Sequence, residues 1–162
     1  MIIFESEIMS GDNSESLDDL DIKILSILGE DARTSYREIA KKLNVAPGTI
    51  YNRIKKLSDS EIIRGYIPLL DYRKLGFGFI AIIFMQVEGE HLVEVEKQLA
   101  TPQEVVAVYD ITGEFDVVVI SRFKNIPAMN LFIKNTLQNP FIKRTVTNVV
   151  LNIVKEDPRL KL

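Results

Sequence analysis

The sequence predicts an α+β protein in which a three-helix, winged-type helix-turn-helix domain precedes a βαββαβ domain. Three observations support this prediction. Residues 35–57 contain two short amphipathic helices joined by a tight turn. Gly76 and Gly78 then break any regular element. Beyond that break, β-rich and helical segments alternate in the order β-α-β-β-α-β, which is typical of a ferredoxin-like sheet of four antiparallel strands with two helices on one face.

Local signals place each helix of the first half. A helix is predicted over residues 17–30, where apolar residues recur at helical spacing. Ser35 and Glu38 form a capping box for the second helix, and Asn44 suits the left-handed conformation that often ends one. Pro47 suits the first turn of the third helix, where its missing N–H costs nothing. The inward face of that third helix is predicted to carry Ile50, Ile54 and Leu57.

The positive charge of the chain is concentrated on this helix-turn-helix. The whole chain has a formal net charge of −3, whereas residues 33–64 carry eight Lys or Arg against three acids, a net charge of +5. Charged helix faces are often only solvated, but a basic patch on such a motif is the footprint of a DNA-binding protein. We expect base contacts from the outward side of the third helix and phosphate contacts from its basic residues. The predicted DNA-binding residues are Ser35, Tyr36, Arg37, Pro47, Gly48, Thr49, Tyr51, Asn52, Arg53, Lys55 and Lys56.

The second half of the chain alternates between strands and helices. Two of its β-rich runs are separated by Thr112-Gly113-Glu114, which predicts a hairpin. The predicted elements are a strand over 79–88, a helix over 91–100, strands over 105–111 and 115–123, a helix over 127–137 and a strand over 144–154. The first strand is apolar on both sides, so we expect the sheet face without helices to be buried against another subunit.

These elements divide the chain into five parts. The segment that follows the third helix, with Pro68, is expected to form a wing or a linker strand. The predicted parts are a flexible acidic segment (1–16), the helix-turn-helix domain (17–64), a linker strand and hinge (65–78), the βαββαβ domain (79–155) and a C-terminal tail (156–162).

Composition excludes several classes of function. The chain has no cysteine, which rules out disulfides and thiolate metal sites. No apolar run reaches the length of a membrane span, and the start lacks the positive n-region of a secretory signal, so a cytoplasmic location is expected. With one histidine, His91, and no phosphate-binding glycine loop or metal-spaced cluster, we expect no catalytic residues, no metal, no cofactor and no enzymatic activity.

Three segments together resemble the feast/famine regulators of the Lrp/AsnC family. The first is the run Leu-Asp-Asp-Leu-Asp-Ile-Lys-Ile-Leu at 17–25, and the second is Tyr-Asn-Arg-Ile-Lys-Lys-Leu at 51–57, followed closely by Ile-Ile-Arg-Gly-Tyr at 62–66. The third is the hairpin Thr-Gly-Glu-Phe-Asp at 112–116. The resemblance covers residues 17–155. It departs at Ala46, since many relatives have Ser at the N-cap of the recognition helix.

The resemblance implies an amino-acid-responsive transcription regulator. Family members form homodimers through the βαββαβ domain, often assemble further into octamers, and bind free amino acids between dimers near the hairpin. In this chain Gly113 offers backbone N–H groups for a carboxylate, and the neighbouring acids suit an ammonium group. Thr145 and Thr147 lie two apart on the last strand, so both face one side. The predicted effector-binding residues are Asp110, Thr112, Gly113, Glu114, Phe115, Asp116, Thr145 and Thr147.

Two other functions share this layout. The siroheme decarboxylases are similar to these regulators but act on a tetrapyrrole and rely on histidines, of which this chain has one. A regulator whose second domain only assembles subunits, without an effector, is the other. The plain interpretation of the hairpin is a turn glycine with solvated acids and two ordinary β-forming threonines.

Overall fold

The computed structural model describes residues 17–159 and 162. The predicted flexible segment 1–16 lies outside the described residues. Among those described, Leu70–Val154 form one compact unit, and residues 17–69 form another together with the described residues from Lys155 onward. No helix in the described part of the chain is long and apolar enough to cross a membrane.

The helical unit contains three helices, as predicted. They are α1 (Asp19–Glu30), α2 (Tyr36–Leu43) and α3 (Pro47–Asp59). Their apolar faces meet in a core in which Ile24, Ile39 and Ile50 are fully buried. Apolar burial at helical spacing is what holds such short helices in place, because helices of this length are marginal in isolation.

Side-chain caps set the helix boundaries. Asp18 is the N-cap of α1, so this helix begins two residues later than the predicted Leu17. Its carboxylate accepts hydrogen bonds from the backbone N–H groups of Leu20 and Asp21, both at 2.9 Å. The predicted capping box of α2 is present, with Ser35 as N-cap. Asn44 ends that helix in the predicted left-handed conformation, at φ 55°.

The segment after α3 does not form the predicted wing or linker strand. Residues 64–71 have no regular secondary structure, and none of the four strands of the sheet pairs with them. Apolar side chains in this segment are exposed, Ile67 to 88%. A strand needs a hydrogen-bonded neighbour, and the described part of this chain provides none here. The prediction of a strand within 65–78 is therefore wrong for the single chain.

The sheet unit has the predicted βαββαβ order. A short 3-10 turn, Gly89–His91, precedes its first helix. The elements are β1 (Phe79–Val87), α4 (Leu92–Leu99), β2 (Val105–Asp110), β3 (Val117–Phe123), α5 (Ile126–Thr136) and β4 (Ile142–Val149). All pairings are antiparallel, in the spatial order β2-β3-β1-β4. This is the ferredoxin-like arrangement, with β2 and β4 at the edges.

The two faces of the sheet differ in what covers them. On one face, Ala81, Ile83 and Met85 of β1 are buried beneath α4 and α5. The alternate residues Ile82 and Phe84 point to the opposite face and are only half-buried. Their apolar cross-strand neighbours there are Ile120, Val118 and Val146, while Ile82 also pairs with the polar Asn148 of β4. We call this second face, defined by its five apolar side chains Ile82, Phe84, Val118, Ile120 and Val146, the open face.

Candidate DNA-binding surface and effector site

The outward side of α3 is exposed, together with the start of α2. Thr49 is half-buried, and the aromatic rings of Tyr36 and Tyr51 contact each other edge to face with centroids 6.1 Å apart. A methyl group added at Gly48 would meet no atom within 4 Å, so the helical unit does not require glycine at that position for packing. The exposed residues of the predicted set are Ser35, Tyr36, Arg37, Pro47, Gly48, Tyr51, Asn52, Lys55 and Lys56.

Arg53 differs from the other predicted DNA-binding residues. Its guanidinium Nη1 lies 2.6 Å from Asp18 Oδ2 and 3.1 Å from Asp21 Oδ2, so it is paired with two carboxylates of the α1 start. The prediction that the Arg53 side chain faces outward is therefore corrected: in this structure it faces the start of α1. Sequence reasoning missed this pair because the partners are 35 and 32 residues away along the chain.

The remaining charges of α3 lie near its surface. Lys55 pairs with Asp59 one turn later, and the hydrogen bond to that carboxylate raises the pKa of Lys55. Lys55 remains more than half exposed, so such a pair contributes little to stability and leaves the ammonium accessible to phosphate.

At the N-terminus of α3, Ala46 makes no side-chain cap hydrogen bond. Pro47 has no N–H, and the Thr49 N–H donates to the carbonyl of Ala46 at 3.0 Å, so the Gly48 N–H is the first-turn donor left for an anion.

The hairpin between β2 and β3 is present and is held at one end of the sheet. Gly113 has φ 122°, a conformation that L-residues rarely adopt, which explains glycine at this turn. Asp116 accepts a hydrogen bond from the backbone N–H of Val87 at 2.8 Å through its Oδ2. The carboxylate of Asp116 therefore ties the hairpin to the end of β1. This bond already occupies one of the three acids predicted to hold an ammonium group.

Arg144 is a candidate effector residue that the sequence prediction missed. Its guanidinium donates to Glu114 at 2.9 Å and lies 5.5 Å from the ring centre of Phe115. Phe115 in turn packs against Phe84 of the open face, with ring centres 5.6 Å apart. Gln86 donates its side-chain amide to the carbonyl of Glu114 at 2.7 Å. The arginine was passed over because it stands at the predicted start of the last strand, 30 residues from Glu114.

The predicted effector residues do not converge on one point within a single chain. Asp110 pairs with Val117, Met85 pairs with Val117, and Thr145 pairs with Met85 across the sheet. Asp110 and Thr145 therefore lie on opposite edge strands, three strand spacings or about 14 Å apart. No free amino acid spans that distance with its own ammonium and carboxylate. Thr147 pairs with Ile83, so both threonines lie on the helix-covered face, away from the Arg144 and Phe115 side.

Glu96 is a further acidic group that sequence reasoning did not single out. Its Oε1 is buried without a hydrogen-bond partner among the described residues. Burial raises the pKa of Glu96, and the negative charge of Asp110 raises it further. No sequence pattern marks Glu96, because its burial and its charge interaction with Asp110 depend on how α4 packs against β2.

Other features of the sheet unit lie apart from the hairpin. A cleft of about 340 Å³ between α4 and α5 is lined by residues such as Leu99 and Phe132, but by none of the predicted effector residues. His91 stacks on Phe141 at 3.5 Å between ring centres, which gives the single histidine a packing role. Among the described residues, no three His, Cys, Asp or Glu side chains form a group able to hold a metal ion.

The two units define a class of protein. A helix-turn-helix with an exposed basic third helix, followed by a separate ferredoxin-like domain, is the arrangement of a DNA-binding transcriptional regulator with a ligand-binding domain. The AsnC-type helix-turn-helix domain matches residues 17–58, and the Lrp/AsnC ligand binding domain matches residues 80–160. The chain belongs to the Lrp/AsnC family of transcriptional regulators, as its sequence motifs indicated.

Relatives cover nearly the whole chain. An uncharacterized HTH-type transcriptional regulator of Pyrococcus furiosus is 52% identical over 145 residues, which is 90% of this chain and 98% of that protein. The regulatory protein AsnC of Haemophilus influenzae is 34% identical, over 86% of this chain and 98% of the relative. The structure of E. coli AsnC superimposes with a TM-score of 0.84 at 28% identity, covering 91% and 99% of the two chains. A transcriptional regulator of Neisseria meningitidis in complex with L-Met superimposes with a TM-score of 0.82 at 27% identity, covering 90% and 96%.

Proposed function

We propose that this regulator binds a palindromic DNA site as a homodimer, and that a free amino acid bound beside the β2–β3 hairpin is its effector. The observation that carries the effector proposal is the exposed ion pair of Glu114 and Arg144 next to Gly113. The ligand-binding domain of the family and the L-Met complex of the Neisseria relative agree with an amino-acid effector. No enzymatic activity is part of this proposal, and the expected location is the cytoplasm.

DNA binding is proposed to use the exposed side of α3 and the start of α2. Asn52 and Tyr51 present hydrogen-bonding groups of the kind that contact base edges. Lys55, Lys56 and Arg37 provide positive charge for phosphates. Gly48 leaves open space at the helix start, which lets the backbone approach the groove. Two such helices related by a two-fold axis require half-sites about one helical turn apart.

The DNA proposal is tested with a mobility-shift assay on fragments upstream of the protein's own gene. We expect a complex whose affinity falls steeply with salt, because binding releases counterions from phosphate. Lys56→Gln should weaken binding to all sequences and lower the salt slope, whereas Asn52→Ala should weaken binding to the target only. The absence of salt-sensitive binding to any upstream fragment would refute the proposal.

The effector proposal is based on charge complementarity. An amino acid carries a carboxylate and an ammonium group close together. Arg144 presents a planar guanidinium that binds carboxylates bidentately, and Glu114 presents a carboxylate for the ammonium group. Both side chains are more than half exposed, so their mutual pair is weak and exchanges readily for a ligand of the same charge pattern. Phe115 provides an apolar wall beside them.

The predicted residues on the helix-covered face do not belong to this site within a single chain. Asp110 and Thr145 cannot touch one small ligand in the same chain, so a site that used both would need a second subunit. Gly113 and Thr112 lie in the exposed turn, where backbone N–H groups can assist the carboxylate. We therefore place the effector at Gly113, Glu114, Phe115 and Arg144. Thr145 and Thr147 could take part only in a site that a neighbouring subunit completes.

A thermal-shift screen of the common amino acids tests the effector proposal. A ligand that binds the folded state raises the melting temperature by mass action. Arg144→Gln and Glu114→Gln should each abolish the shift. Lys143→Gln, which removes a charge from the next residue of β4, should preserve it, because Lys143 pairs with Glu88 instead. A shift that survives Arg144→Gln would place the site elsewhere. A protein stabilised by no amino acid would have a different effector or none, and a shift with a tetrapyrrole would favour the decarboxylase function.

Oligomerisation is proposed to bury the open face. Five apolar side chains there are half-buried, and no helix among the described residues covers them. A second copy of the same apolar face would cover it, since two-fold interfaces pair identical surfaces. Assembly of dimers into octamers is proposed from the family resemblance alone.

A further inference from the structure

Arg53 links the recognition helix to the start of the first helix. One guanidinium nitrogen, Nη1, donates to Asp18 Oδ2 at 2.6 Å and to Asp21 Oδ2 and Oδ1 at 3.1 and 3.2 Å. Two carboxylates of α1 therefore hold a single nitrogen of α3. The Arg53 side chain is one-third exposed, so it lies between the buried and the outward sides of α3.

The two carboxylates are themselves rigidly held. Asp18 accepts hydrogen bonds from the first turn of α1, while the Asp21 carboxylate accepts one from the backbone N–H of Asp18 at 3.3 Å. This capping box gives Arg53 a fixed attachment point. The hydrogen bond from the Asp21 N–H lowers the pKa of Asp18 most, and the one from Arg53 lowers it next. Asp18 in turn raises the pKa of Arg53, so this pair is ionised at neutral pH.

Asp21 makes the link costly to break. Its side chain is 7% exposed, and a carboxylate so deeply buried needs a cation or several hydrogen-bond donors. If Arg53 turned away to a DNA phosphate, the bond that Asp21 would keep within residues 17–159 is the long one from the Asp18 N–H, at 3.3 Å. Leaving a buried charge without its partner is a larger loss than an exposed phosphate contact returns.

We propose that Arg53 is a positioning residue: its link to Asp18 and Asp21 sets the position of α3 on α1, and it does not itself neutralise a DNA phosphate. The inference rests on the proposed DNA binding by α3. Apolar packing of Ile50 and Ile54 holds the helices together but is not directional. The charged hydrogen bonds add direction, and base recognition needs it because hydrogen bonds weaken steeply when their angle changes.

The test measures two properties of DNA binding for four single variants: the dependence of affinity on salt, and the preference for target over random DNA. The variants are Arg53→Gln, Asp21→Asn, Asp18→Ser and, as a matched loss of charge, Arg37→Gln. Each phosphate contact contributes about 0.9 to the salt slope. We expect Arg53→Gln to keep the slope of the unaltered protein while its preference for target over random DNA falls about tenfold, a change of about 1.4 kcal/mol. Arg37→Gln should lower the slope and keep the preference.

Asp21→Asn separates the two roles by the sign of its effect. Removing an acid makes the domain more positive, so a purely electrostatic role for Arg53 predicts tighter binding to all DNA. The positioning role predicts a weaker preference for the target in spite of the added charge. Asp18→Ser keeps an N-cap that α1 accepts but removes one carboxylate, so it should give a smaller loss in the same direction.

A stability measurement checks the same link without DNA. In the full chain, Arg53→Gln and Asp21→Asn should each have a lower melting temperature than the unaltered protein. The decrease in the double variant should be smaller than the sum of the two single decreases. Additive effects would overturn the proposed link even if DNA binding is confirmed. A lower salt slope with intact target preference in Arg53→Gln, or tighter binding by Asp21→Asn, would show that Arg53 contacts phosphate. If Arg53→Gln does not fold, Asp18→Ser replaces it in the DNA-binding measurements and in the melting-temperature measurement.

Discussion

The carboxylate of Asp116 accepts a hydrogen bond from the backbone N–H of Val87 at 2.8 Å and so fastens the β2–β3 hairpin to the end of β1. The register of β1 shifts between Gln86 and Val87, and the ladder to β4 is irregular at that point. A side chain of the hairpin thus satisfies a backbone donor at the place where the sheet is irregular. The hairpin that carries the candidate effector site is positioned by this bond.

Asp116→Ala is expected to destabilise the sheet unit. The substitution leaves the Val87 N–H without its acceptor, and a hydrogen bond to a charged group is worth about 1.5–3 kcal/mol. Urea unfolding followed by circular dichroism measures the loss. Asp116→Asn is the matched control, because its side-chain oxygen still accepts from an N–H and should recover part of the stability. Equal stability of the Ala variant and the unaltered protein would contradict the prediction.

Glu96→Gln is expected to stabilise the protein at pH 7. Burial raises the pKa of Glu96 in the folded state above its ordinary value of 4.5, so the ionised form is disfavoured on folding. The folded state then binds the proton more tightly than the unfolded state. Stability from this group is full below pH 4.5 and is lost as pH rises through the folded pKa.

The measurement for Glu96 is the melting temperature from pH 4 to 7. The advantage of Glu96→Gln over the unaltered protein should be largest at pH 7 and disappear near pH 4. Glu94→Gln, an exposed acid on the same helix, should show no such gain. A gain shared by both variants, or one independent of pH, would show that the burial of Glu96 is not its cause.

Ala46→Ser is expected to stabilise the helical unit. Ala46 is the N-cap of α3, has extended backbone angles of φ −71° and ψ 144°, and makes no side-chain cap bond. A serine hydroxyl in that conformation accepts from the first turn and contributes about 1 kcal/mol. Urea unfolding should show the gain for Ser but not for Ala46→Val, whose side chain has no acceptor. If both variants are equally stable, the cap bond does not form.

Ile82→Asp is expected to disrupt the proposed dimer. Ile82 lies opposite Ile120 on the open face, so a carboxylate there would be buried without a partner in any assembly that covers this face. Light scattering at micromolar concentration should give a multiple of 18.4 kDa for the unaltered protein and a lower mass for the variant. Val93→Asp, on the exposed side of α4, is the control and should keep the mass of the assembly. A monomeric mass for the unaltered protein would refute the proposal.

Features that depend on neighbours in the chain were predictable. The capping box of Ser35 and Glu38 follows from bonds between residues three apart. The left-handed Asn44 and the Pro47 start of α3 follow from the backbone preferences of those two residue types. The alternation of β1 and the glycine at position 113 likewise express local backbone geometry. For this reason the helices, the strand order of the second half and the hairpin agree with the prediction, apart from shifts of a few residues at their ends.

The amino-acid sequence by itself determined the helix-turn-helix, the βαββαβ order and the family, because these depend on periodicity and short motifs. Only the tertiary structure decided that Arg53 pairs with Asp18, that Arg144 joins Glu114, and that Asp110 and Thr145 lie on opposite edges of the sheet. It also showed that residues 64–71 form no strand in the single chain. The physical reason is that these two ion pairs join residues 35 and 30 positions apart, so they depend on how the elements pack and not on local pattern.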